Sequence, residues 1–234
     1  MRKKTDSSVT NSTYLTLNEF NVDNILWVDE IDGLLSATNY IKGCKVIGVD
    51  CEWKPNYVKG SKPNKVSIMQ IASDKRVLIF DLIKLYNDEP KTLDSCFKSI
   101  MHSPKILKLG YNLQCDLREL SRSYGDLEGF RYYEMVLDIQ KLFKEASGGL
   151  SGLAEKILGA GLNKTRRNSN WEQRPLTQNQ IEYAALDATV LIHIFHHVHG
   201  QSQTTGMKQE NSNEWKSHIV FHTGSKQSKT LKNM

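Results

Sequence analysis

The sequence predicts an α/β protein, with one mixed sheet flanked by helices. Two observations predict it. The apolar runs Lys65–Ala72 and Arg76–Asp81 are only three residues apart, a spacing that demands an antiparallel hairpin. Further along, short apolar runs alternate with stretches of helical period, the pattern of strands crossed by helices.

The elements follow in order. Lys45-Val-Ile-Gly-Val-Asp-Cys-Glu-Trp53 reads as a strand, and the hairpin comes next, turning at Ser73-Asp74-Lys75. Thr92–His102 is helical, with Leu93, Phe97 and Ile100 on one face. Ile106–Gly110 is a strand, Leu113–Tyr124 a helix and Met135–Asp138 a short strand. Three helical stretches close the pattern: Ile139–Lys144, Leu150–Leu158 stopped by Gly159 and Gly161, and Thr177–His199. Thr177 with Gln180 three residues on fits a capping box. Residues 1–22 and 200–234 are polar and are expected to be disordered tails around one domain over 23–199.

The chain has 234 residues, 39% hydrophobic and 24% charged, which suits one core. No apolar run approaches the ~18–20 residues that span a bilayer. The basic start Met1-Arg2-Lys3-Lys4 lacks an apolar stretch after it, so no export and no membrane partner are expected. Cys44, Cys51, Cys96 and Cys115 form no CxxC pair; reduced thiols in an intracellular protein, nuclear or cytoplasmic, fit better than a disulfide framework. The net charge of +5 lies mostly in the tails and argues little by itself. Two local stretches say more. Lys54, Lys59, Lys62 and Lys65 share an acid-free segment, and Lys164, Arg166, Arg167 and Arg174 surround a single Glu172.

Asp50 and Glu52 lie two apart on the first strand, hence on one face. Such a pair repels and needs a cation or a shared proton, unless it is only a solvated strand end. Oxygen ligands without His or Cys select a hard ion. Asp116 falls in the first turn of a helix, where an Asp also complements the dipole. Asp187 sits among Ala184, Ala185, Ala188 and Leu191, and a charge on such a face is costly unless paired or metal-bound. Tyr183, four residues before it, shares its face. Asp81 and Asp138 end strands and read as structural caps. His193, His196, His197 and His199 have no accompanying HExxH and read as a partly exposed helix end.

Asp50-Cys51-Glu52, Asp116 in Gly110-Tyr-Asn-Leu-Gln-Cys-Asp116, and Tyr183-x-x-x-Asp187 resemble the ordered motifs of the DEDD exonucleases. The tyrosine is similar to that of the DEDDy branch, which includes RNase D, the Werner exonuclease domain and proofreading domains. Ser169-Asn-Trp-Glu-Gln-Arg-Pro-Leu176, Gly149-Leu-Ser-Gly-Leu-Ala154 and Leu162-Asn-Lys-Thr165 look closest to Nibbler-like trimmers of small-RNA 3′ ends and their plant relatives. The resemblance covers roughly residues 25–199.

It implies an RNase H-like sheet and a metal-dependent 3′→5′ exonuclease using two Mg²⁺ or Mn²⁺ ions. Asp50, Glu52 and Asp187 would ligate one ion, Asp50 and Asp116 the second, and Tyr183 would orient the water. The implied partner is a single-stranded 3′ end, RNA before DNA. Lys164, Arg166 and Arg167 are expected to face phosphates. Trp53 and Trp171 read either as base-stacking rings or as core, and Gln70 as facing the terminal nucleotide. Arg174 reads as a salt-bridge partner. The alternatives are a Werner-type enzyme on DNA 3′ ends, a non-catalytic nucleic-acid binder, a protein-interaction scaffold using the polar tails and an RNase H-like endonuclease. All four carboxylates are present, against the binder, and the Tyr183–Asp187 motif favours the exonuclease.

Overall fold

The computed structural model describes residues 13–143, 147–204 and 211–223. Seven strands form one sheet: β1 (Asn24–Val28), β2 (Val46–Glu52), β3 (Ile68–Ala72), β4 (Arg76–Asp81), β5 (Leu107–Gly110), β6 (Tyr133–Asp138) and β7 (Val220–His222). Their order is β1-β4-β3-β2-β5-β6-β7. The β2–β3–β4 meander is antiparallel, its β3–β4 pair joined by the expected three-residue turn. β5 runs parallel to β2 and β6 parallel to β5, reached through helical crossovers. The expected mixed sheet with flanking helices is therefore present.

Alternation along the strands splits the core in two. On one face, Ile47, Val49 and Cys51 of β2 pack with Met69, Ile71, Leu78 and Phe80. α1 (Ile31–Lys42), α2 (Leu82–Asp88), α3 (Pro90–Met101) and α4 (Leu113–Ser123) cover that face. On the other, Ile68, Ala72, Val77, Ile79, Leu107 and Leu109 meet α5 (Gly149–Leu158) and the long α6 (Gln178–Thr204). The capping box at the start of α6 forms as its sequence predicts: Gln180 Oε1 accepts from the Thr177 N–H at 3.0 Å, and the Thr177 hydroxyl accepts from the Gln180 N–H.

Folded structure extends beyond both expected domain boundaries. Leu15 N–H donates to the Gly161 carbonyl at 2.9 Å, and Leu15 and Phe20 are buried. The Phe20 ring lies 4.4 Å from that of His193 on α6. At the other end β7 pairs antiparallel with β6, and Ile219 is buried. Sparse apolar residues in these polar stretches suffice because each docks on a surface the domain already offers. The rest of the expected tails, 1–12, 205–210 and 224–234, lies outside the described residues.

Candidate active site

Gly48 explains how the site is assembled. A Cβ there would stand 2.2 Å from the Ala188 carbonyl oxygen, so the bare glycine lets α6 lie directly on β2. Asp187, the residue before Ala188, is thereby brought against the end of β2 that carries Asp50 and Glu52. Carboxylate oxygens of these three residues all lie within 4.8 Å of one another. Asp116 enters from the first turn of α4, itself buried. It stands outside that close triad but near enough for the Asp50 charge to act on it.

Electrostatics set the site apart. Burial pushes the Asp50 carboxyl up to about 7, against a lowering hydrogen bond from the Cys51 backbone. Glu52 is held well above the usual carboxylate range by burial and then by Asp50, Asp187 and Asp116. Asp187 is raised by burial and by Asp50, with Tyr183, Arg167 and Lys164 pulling it down. Buried Glu52, Asp116 and Asp187 gathered with half-buried Asp50 at such cost fit a divalent cation. The all-oxygen donor set suits a hard ion.

Tyr183 lies beside Asp187, its phenol in hydrogen-bonding position to that carboxylate. Burial raises the phenol's pKa, so it stays a donor. A cavity of about 580 Å³ opens over the carboxylates, lined also by Trp53, Tyr111, Asn112, Lys164 and Arg167. Lys164 Nζ is steadied by the Gly148 carbonyl at 2.8 Å. Arg166 faces a second, larger cavity that meets the first at Tyr183 and Asp187.

Two of the expected substrate contacts lie inside the fold, Trp171 thereby taking the core alternative of its two readings. Trp171 is fully buried; its indole N–H donates to the Arg167 carbonyl at 3.3 Å and its ring lies 5.9 Å from Tyr183. It supports Tyr183 from within and offers no face to a base. Gln70 is also fully buried, paired across the strand from Asp50, so it cannot reach a terminal nucleotide. The apolar pattern of β3 hides an amide that lies beneath α6. Trp53 is half-buried against the core yet still lines the cavity. Tyr111 and Asn112 also line it, and reading the sequence alone passes over both. Their signal is the Gly110-Tyr-Asn112 turn into α4, where Asn112 adopts a left-handed φ of 54°.

The structural acids behave as expected. Asp81 caps α2 through the Lys84 N–H and pairs with Arg174, whose Nη2 reaches Oδ1 at 2.9 Å. Asp138 accepts from Asn112 and Gln140 N–H groups. Among the helix histidines, His193 packs on Phe20 and His196 lies 3.4 Å from Asp74, so neither needs a metal to account for its position. The four cysteines are free thiols.

A family profile described as 3′-5′ exonuclease matches residues 25–201. The chain belongs to the 3′-5′ exonuclease family. It is a DEDDy-type exonuclease near the Nibbler-like branch. The human exonuclease mut-7 homolog is 31% identical over 172 residues, covering 64% of this chain and 19% of that protein. The chain thus spans about a fifth of that relative's length. The Nibbler EXO domain of Aedes aegypti aligns with a TM-score of 0.71 at 26% identity, over 82% of this chain and 95% of that one. RNase D of Trypanosoma brucei in complex with RNA U12 shares the fold, with a TM-score of 0.65 at 22% identity over 77% of this chain and 64% of that one. The exonuclease sheet is thus RNase H-like.

Proposed function

We propose that the protein hydrolyses single-stranded RNA stepwise from its 3′ end, with two Mg²⁺ or Mn²⁺ ions bound. The observation that carries this reading is the largely buried Asp50–Glu52–Asp187 cluster with Asp116 beside it. A phosphodiester is anionic and would be repelled by four carboxylates alone. Bound between them, two divalent ions supply the Lewis-acid charge for phosphodiester hydrolysis. Asp50, Glu52 and Asp187 hold one ion, and Asp50 with Asp116 the other. Tyr183, backed by Trp171, orients the attacking water through its hydroxyl. Lys164 and Arg167, on the cavity wall, hold phosphate oxygens of the strand. Trp53 offers a half-buried ring edge to the terminal base.

RNA as the strand is supported by the motifs shared with trimmers of small-RNA 3′ ends, and by a neighbour of the same fold that holds RNA. The distinguishing contacts would be to the 2′-hydroxyl. The test is side-by-side digestion of matched RNA, DNA and partly duplex strands, with Mg²⁺ and with chelator. We expect metal-dependent shortening, fastest on single-stranded RNA. Faster loss of DNA would favour a Werner-type role on DNA ends; strand binding with no cleavage of any substrate would point to a non-catalytic binder.

A further inference from the structure

Between β2 and β3 the chain makes a loop whose tip holds the two most exposed large apolar side chains among the described residues. Tyr57 is 81% exposed and Val58 70%, while the next, Tyr14, is 46%. An aromatic ring held in water has forgone burial worth about 1.5–3 kcal/mol. A slack loop would explain this, but the loop is not slack. Asn56 Nδ2 donates to the Lys62 carbonyl at 2.7 Å, and its Oδ1 accepts from the Val58 N–H. Ser61 Oγ donates to the Val58 carbonyl at 2.7 Å, and Gly60 supplies the left-handed turn at φ 82°. The base is closed by Asn64 Nδ2 on the Lys54 carbonyl, and Arg122 of α4 grips the carbonyls of Pro63 and Asn64. The loop is a built support that presents its tip outward.

Charge identifies what the tip fits. No acid occurs between residues 53 and 73. Two of the four lysines have local duties: Lys54 pairs with Glu172, and Lys65 lies over the Tyr86 ring. Lys59 and Lys62 follow the tip in the chain and make no ion pair among the described residues. An exposed ring followed on the same loop by two available cations complements a polyanion that carries flat bases. The position agrees. Trp53 and Pro55 line the carboxylate cavity, and Tyr57 is two residues further, within roughly 7 Å of chain.

We propose that Tyr57 is a stacking platform for the single strand just upstream of the nucleotide being removed, with Lys59 and Lys62 on its phosphates. The assignment deepens the exonuclease reading and rests on it for the direction of the strand. The test separates the two. Binding of a fluorescent 12-nucleotide single-stranded RNA is measured by anisotropy with Ca²⁺ replacing Mg²⁺, and cleavage of the same strand is measured with Mg²⁺. Tyr57→Ala should weaken binding about tenfold, and Tyr57→Trp should restore it. On cleavage it should raise KM and leave kcat nearly unchanged. Binding equal to wild type in Tyr57→Ala would overturn the platform, as would a wild-type protein that binds no strand. A wild-type protein that binds through Tyr57 but never cleaves would overturn the exonuclease reading and leave the platform standing. Because the side chain is exposed, the substitution leaves the core untouched.

Discussion

At the scale of single residues, the site is defined by carboxylates in the wrong solvent. The unfolded chain ionises such groups near pH ~4. In the fold, burial raises Asp50 to about 7, and Glu52, Asp116 and Asp187 are raised well above their ordinary range. Between those values the folded protein binds more protons than the unfolded one, so its stability falls as pH rises. Thermal unfolding of metal-free protein should give a higher Tm at about pH 5 than at about pH 8, and Mg²⁺ should raise Tm mainly at the higher pH. A Tm indifferent to both would contradict the cation site. In the proposed mechanism Tyr183 orients the water, so Tyr183→Phe should lower kcat by about a hundredfold and leave RNA affinity within about twofold. Equal losses in both would argue against that role. Spacing makes Asp187 and Tyr183 legible, because they share a helix face that is otherwise apolar and costly for a charge, and it puts Asp50 and Glu52 on one strand face; Asp116 is legible only through its place in the ordered motifs that resemble the DEDD exonucleases. Trp171 and Gln70 are not legible, because a sequence does not say which side of a loop or sheet is wet. Trp171 turns inward under Tyr183, and Gln70 lies under α6.

At the scale of elements, the contact of α6 with β2 decides the geometry. Gly48→Ala would drive a methyl into the Ala188 carbonyl and lift the helix. We expect a stability loss of about 1–3 kcal/mol in denaturant unfolding, together with a loss of cleavage, because Asp187 moves with the helix. Wild-type activity in that variant would show that the close approach is dispensable. The Arg174–Asp81 pair ties the segment before α6 to the end of β4, with Asp81 nearly fully buried. Arg174→Ala strands that carboxylate and should cost about 3–5 kcal/mol, read as a lower denaturation midpoint. Most elements are legible by period. β2, β4 and α4 fall within a residue or two of their expected bounds because their apolar spacing is regular. β1 and α1 escape sequence reasoning. β1 is a half-exposed edge strand, and α1 carries Gly33, Thr38 and Asn39 among its apolar positions, so neither shows a clean period.

At the scale of the molecule, one sheet brings acids from β2, α4 and α6 to a common point, and segments from both ends of the chain brace it. Phe20 against His193 and β7 against β6 are illegible because isolated apolar residues in a polar stretch have no period; only the finished domain offers their docking surfaces. In the proposed function this assembly shortens RNA from its 3′ end through Asp50, Glu52, Asp116 and Asp187. The most direct measurement is a time course on 5′-labelled single-stranded RNA with Mg²⁺, run for wild type and for Asp187→Ala. A ladder shortening one nucleotide at a time from the 3′ end, absent in a folded Asp187→Ala protein, is the predicted result. No shortening by wild type, internal cuts in place of a ladder, or an undiminished ladder from Asp187→Ala would contradict it.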